Sequence, residues 1–330
     1  MPLSRAQTTA SILLVLALGF PPGLAAKPRT PKVVVNTQAL VLHDEARGRD
    51  IPVKVYDPRA SNFPGRLPVI VFSPESGSSK DSYAYLGHYW AEHGYLCLFL
   101  AHKGSDTFLL KKGKPLTSLR NIVESTRKDQ NLIDRPRDIS FVIDSLAEIE
   151  AQVSDLKRRV DPTRVGVAGH SFGATAALAV AGATLHLSDG SARDFRDNRV
   201  TCLVAMSPPG DSSPGFDAES WRGVPRPLLI LRGSQDHGLN GEPVRWRGEA
   251  FERVPPHHKY EVVLSGAGHM DFSDRQLDGS RGNSRFHAYV AQATLAFWDA
   301  FLRGNQSVQQ KLDAGDFPSS RGIKAAVQVK

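Results

Sequence analysis

With 330 residues, 41% of them hydrophobic and 23% charged, the chain has enough apolar material for a full core, which excludes a globally disordered sequence. Its length fits one large α/β domain. A formal charge of +7 and a pI of about 9.4 would suit nucleic acid, an anionic membrane or a soluble basic protein, but no dense Lys/Arg tract with interleaved aromatics is present, which argues against nucleic acid.

The chain opens with a targeting pattern. Arg5 supplies a positive start, Ser11 to Phe20 is apolar, Pro21, Pro22 and Gly23 break any helix, and Leu24-Ala25-Ala26 offers small residues for cleavage. The apolar run is too short to cross about 30 Å of hydrocarbon. Residues 1–26 are therefore expected to be a secretory signal peptide, leaving no integral span and a periplasmic or extracellular mature protein.

Val33–Val35, Ala39–His43 and Arg49–Tyr56 read as an antiparallel start, with Ile51, Val53 and Val55 alternating. After residue 65 strands and helices alternate, which predicts a mostly parallel sheet with helices on both faces. The predicted strands are Leu67–Phe72, Tyr95–Leu100, Arg164–Ala168, Val200–Ala205, Pro227–Leu231 and Tyr260–Leu264. The predicted helices are Ser82–His93, Asp138–Glu150, Ala174–Ala183 and Arg285–Leu302. The domain is expected over 27–303, followed by a polar tail, 304–330, that frays unless Val327 and its apolar neighbours dock. Two long segments, Lys103 to Asp134 and Ser207 to Arg226, read as irregular. Both leave the carboxyl ends of strands, where open α/β sheets bind ligands, and are candidate substrate walls. Lys111, Lys112 and Lys114 in the first read as a solvated cluster. Cys97 and Cys202 lie inside apolar strands and are expected to be buried free thiols. No CxxC, HExxH or clustered His/Cys spacing suggests a metal, and no cofactor is expected.

The chemistry gathers at Gly169-His170-Ser171-Phe172-Gly173, between a predicted strand and a predicted helix. That is the setting of a nucleophile elbow, in which a sharp turn exposes the serine hydroxyl and the helix N-terminus faces the reacting carbonyl. A serine needs a base. His269, in Gly266-Ala-Gly-His just beyond the last strand, is the candidate. A carboxylate must orient the imidazole, and Asp236, in Arg232-Gly-Ser-Gln-Asp after Pro227–Leu231, fits. Asp211 is the alternative acid, and Asp271 is too close along the chain to be preferred. The Phe172 N–H is one expected oxyanion donor. The other is expected from Ser76 or Gly77 in Ser73-Pro-Glu-Ser-Gly, with Ser76 chosen.

The ordered stretches Leu67–Ser73, Arg135–Phe141, Gly169–Gly173, Leu231–Asp236 and Gly266–His269 resemble the α/β-hydrolase superfamily. More narrowly, they look like the predicted dienelactone-hydrolase and platelet-activating-factor-acetylhydrolase-like group. The resemblance implies an α/β-hydrolase fold with an eight-stranded, mostly parallel sheet, no metal, and ester hydrolysis through an acyl-enzyme. The chain departs from the group where a His-Gly pair is usual and Pro74-Glu75 stands instead. Glu75 would meet either a cationic substrate group or a nearby Lys or Arg; the second is the expectation.

The expected activity is that of a secreted serine hydrolase acting on a small-molecule ester, of short acyl or phospholipid type. The same residues would serve a dienelactone, carbon–carbon or amide hydrolase, or an acyltransferase. A non-catalytic secreted binding protein is the alternative of a different class, and only Pro74-Glu75 supports it.

Overall fold

The computed structural model describes residues 33–330 except 60–61, 64, 111–114, 239–240 and 275–283. The expected signal peptide and the lysine cluster at Lys111, Lys112 and Lys114 lie outside the described residues. The antiparallel start is a hairpin of β1 (Val35–Asp44) and β2 (Arg49–Pro58). The two pieces predicted at 33–35 and 39–43 are thus one strand. Then follow β3 (Leu67–Ser73), α1 (Ala84–Glu92), β4 (Leu96–Leu100), α2 (Pro115–Thr126), α3 (Asp129–Asp144), α4 (Leu146–Gln152), β5 (Val160–His170) and α5 (Phe172–Val180). A short hairpin, β6 (Leu185–His186) and β7 (Ala192–Arg193), precedes β8 (Val200–Met206), β9 (Leu228–Gly233), α6 (Glu249–Arg253), β10 (Lys259–Leu264), α7 (Ser284–Phe301), α8 (Gln306–Asp313) and β11 (Ala325–Val329).

The main sheet runs β1-β2-β4-β3-β5-β8-β9-β10-β11. The strands from β4 to β10 are mutually parallel, and β1, β2 and β11 close the two edges antiparallel. Burial on both faces explains why the central strands are almost wholly apolar. In β3, Ile70 and Phe72 point to one face, where α1 and α7 pack through Leu86, Trp90, Phe297 and Trp298. Val69 and Val71 point to the other, against Ile139 and Val142 of α3 and Ala176, Ala177 and Val180 of α5. Cys97 and Cys202 are both unpaired and buried in the first of these layers. This is the α/β-hydrolase fold, with nine described strands in the main sheet where eight were expected.

The ninth strand comes from the segment expected to fray. Ala325–Val329 pairs with β10 from Leu264↔Ala325 to Tyr260↔Val329, and Val327 packs on the core. The edge of β10 offered unpaired backbone groups, and the tail satisfies them. The segment 103–134 also differs from expectation. It holds all of α2 and the start of α3, which begins at Asp129 rather than Asp138 and carries Pro136 inside it.

Candidate active site

Ser171 stands between β5 and α5 with φ 55° and ψ −119°, a backbone strained for any residue with a Cβ. Glycine on either side makes this turn possible. A Cβ on Gly169 would fall 2.2 Å from the Gly173 carbonyl oxygen, and one on Gly173 would fall 1.9 Å from the carbonyl oxygen of Ser73 in the neighbouring loop. The turn is pinned by the Ser171 N–H, which donates to the Met206 carbonyl at 2.9 Å. The result lifts the Ser171 hydroxyl to the carboxyl end of the sheet.

Two other strand ends deliver the partners. His269 follows β10 and its Nε2 lies 2.9 Å from Ser171 Oγ. Asp236 follows β9 and its Oδ1 lies 2.9 Å from His269 Nδ1. The other acids are engaged elsewhere: Asp211 accepts from the Trp221 indole N–H at 2.6 Å, and Asp271 accepts from the Gly268 N–H at 2.8 Å. The structure therefore brings together Ser171, His269 and Asp236.

Sequence reasoning missed Arg247. Its buried guanidinium donates to Asp236 Oδ1 at 3.0 Å and to the carbonyl of Ser207 at 3.0 Å. Burial by itself would raise the Asp236 carboxyl, but the His269 ring and the Arg247 guanidinium hold it well below the usual carboxylate range. Burial also lowers the His269 imidazole, and Arg247 adds to this against the pull of Asp236. The pair therefore rests as a neutral imidazole beside an ionised carboxylate.

The loop after β3 is held from beneath by Arg135, whose guanidinium donates to the carbonyls of Pro74 at 2.6 Å and Glu75 at 3.4 Å and stacks on the Phe172 ring at 4.5 Å. A planar trans peptide points its N–H opposite its C=O. Holding the Glu75 carbonyl thus turns the Ser76 N–H away from Arg135. Gly77 is spent, since its N–H donates to the Ser105 carbonyl at 2.8 Å. The Phe172 N–H sits in the first turn of α5, where no intrahelical acceptor exists.

A Lys or Arg partner was the expectation for the Glu75 carboxylate, but among the described residues it has none. It turns to His170, with Oε2 3.4 Å from Nδ1, and Tyr83 Oη stands 2.6 Å from the same nitrogen. The reason is local. Arg135, which holds the Glu75 backbone carbonyl, is already occupied by backbone carbonyls and Ser105. Burial alone would raise the Glu75 carboxyl, but the hydrogen bonds of His170 and Tyr83 leave it lowered.

Beneath the site, Ser73 Oγ, His102 and Asp138 repeat the Ser-His-Asp order at 2.9 Å and 2.9 Å. All three are sealed from solvent, so no substrate reaches them. Burial, then Arg135, pushes His102 down to about 4. This set ties β3, β4 and α3 together below the loop.

A cavity of about 340 Å³ opens beside Ser171. Its walls include Val123, Thr126 and Arg127 from α2 and its end, Phe172 and Thr175 of α5, and Trp246. Pro209, Ser212 and Ser213 come from the second long segment, so both segments flagged as candidate walls contribute.

No family model matches the chain. Among curated proteins it is similar to a platelet-activating factor acetylhydrolase of Bos taurus, 22% identical over 239 residues, covering 63% of this chain and 48% of that protein. The chain thus spans about half the length of that relative and is a distant homologue of it, which agrees with the sheet described above.

Proposed function

We propose that the protein is a serine hydrolase that cleaves carboxylic esters through an acyl-enzyme. The observation that carries this reading is the unbroken contact chain from Ser171 Oγ through His269 to Asp236, each side chain delivered by a different strand end. The distant relative's name, an acetylhydrolase, supports the same bond type. His269 takes the Ser171 proton as Ser171 attacks the ester carbonyl. The Phe172 and Ser76 N–H groups hold the oxyanion. His269 then protonates the leaving alcohol and activates the water that releases the acid. Asp236 keeps the proton on Nδ1 and stabilises the imidazolium. The cavity is small for a ligand site, which favours a short acyl group. We further propose export after removal of residues 1–26; no helix among the described residues is long and apolar enough to cross a membrane.

The direct test is covalent labelling. A fluorophosphonate is expected to add its mass to the peptide carrying Ser171, and labelling confined to any other residue would refute the assignment. Product analysis with water and alcohol acceptors separates hydrolysis from acyl transfer.

The pH profile gives a second expectation. His269 must be neutral to act as base, and its pKa is lowered by burial and Arg247. The acid limb of kcat/KM is therefore expected below the pH 6.5 of an ordinary imidazole. A limb at or above that value would contradict the described environment.

A further inference from the structure

Beside the Ser171 contact lies a cluster of which the reaction uses only His269. Glu75, His170 and His269 each offer a metal-ligating atom within 4.8 Å of those of the other two. Both imidazoles also have the outer partner that orients a metal-bound histidine. Tyr83 Oη stands 2.6 Å from His170 Nδ1, and Asp236 Oδ1 stands 2.9 Å from His269 Nδ1. Each ring is left with its Nε2. That of His269 faces the Ser171 hydroxyl. That of His170 is buried with no hydrogen-bond partner, on a residue with no solvent exposure. A buried imidazole nitrogen lacking any partner is uncommon and asks for an occupant. Glu75 is the third donor; its Oε2 stands 3.4 Å from His170 Nδ1, so its carboxylate swings across the ring edge to meet an ion on Nε2.

We propose that Glu75, His170 and His269 form an inhibitory site for a divalent transition cation of the zinc class. Two imidazoles and one carboxylate make a ligand set suited to zinc and unsuited to the all-oxygen preference of calcium or magnesium. Ligand atoms on a tetrahedral zinc stand about 3.4 Å apart, so the cluster contracts on binding. Glu75 and His269 keep side-chain exposures of 11% and 14%, which leaves them room to turn, while His170 stays fixed against Tyr83. An ion on His269 Nε2 displaces the Ser171 hydrogen bond and leaves Asp236 on Nδ1. Inhibition rests on the catalytic reading above; binding does not.

Equilibrium dialysis of the purified protein against zinc is expected to give one ion per chain at concentrations below about 100 µM, with no binding of calcium or magnesium there. Cobalt in place of zinc is expected to show the visible absorption of a tetrahedral site. His170→Gln and Glu75→Gln are each expected to weaken zinc binding at least about tenfold with the fold intact by circular dichroism. Ser171→Ala is expected to keep it. In the active protein zinc slows ester turnover and a chelator restores it. Absence of zinc binding in the wild type, or wild-type affinity in both Gln variants, overturns the site. Zinc binding that needs His170 and Glu75 in a protein without ester turnover leaves the site standing and removes the catalytic reading.

Discussion

Ser171→Ala is expected to lower kcat for a short-acyl p-nitrophenyl ester by about 10⁶-fold while leaving the thermal midpoint almost unmoved. The size follows from the role proposed for the hydroxyl. Without it no acyl-enzyme forms, and only the oxyanion donors and binding remain, which typically leave roughly 10³-fold over water. The small effect on stability follows from its surroundings. Among the described residues the hydroxyl makes a single side-chain hydrogen bond, to His269, and alanine meets the same φ of 55° that serine does. The turn is held by the backbone, through the Ser171 N–H to Met206 and the Ala174 N–H to the Ser171 carbonyl at 2.9 Å. A variant that stays folded and turns over ester at the wild-type rate would remove Ser171 from the reaction. One that unfolds would show that the elbow leans on the side chain rather than on Gly169 and Gly173.

Much of this arrangement was readable before any coordinates. Val69, Ile70, Val71 and Phe72 form an uninterrupted apolar run because β3 is covered on both faces, and the same holds for β4. Ser171, Asp236 and His269 were readable because each follows such a run within a few residues, so the sheet itself brings them to one edge. What escaped notice depends on contacts that leave no local pattern. β11 buries little beyond Val327, and its identity as a strand comes from the open edge of β10. The Glu75 carboxylate finds His170 and Tyr83 from two other elements, and only the fold makes them neighbours. Arg247 sits in a short polar turn between Pro243 and Glu249 that looks like surface, yet its guanidinium is 4% exposed and lies against Asp236. A buried arginine carries no periodic signal; its reason is the carboxylate it reaches.

That arginine shapes the second large effect. Asp236→Asn is expected to lower kcat by about 10⁴-fold, the scale seen when a triad carboxylate loses its charge. Arg247 Nε and His269 Nδ1 both meet Oδ1 of Asp236, at 3.0 Å and 2.9 Å. An asparagine whose oxygen stays at that point still meets Arg247, so the loop geometry survives while its hold on the imidazole tautomer is weakened. The negative charge is lost as well, and with it the counterion of a buried cation. The imidazolium that forms as His269 takes the serine proton would then stand beside Arg247 with no carboxylate between them, a like-charge contact in a desolvated site. The acid limb of kcat/KM is accordingly expected to move further below its wild-type position. Adding Arg247→Met to Asp236→Asn removes the uncompensated cation, and the double variant is expected to recover part of the lost rate and to move the limb back up. A structural role alone predicts the opposite, since each change would loosen the loop and the losses would accumulate. Steady-state kinetics of the two single variants and the double across pH 4 to 9 decide between the two. A double variant slower than Asp236→Asn, with an unmoved limb, would reduce Arg247 to packing.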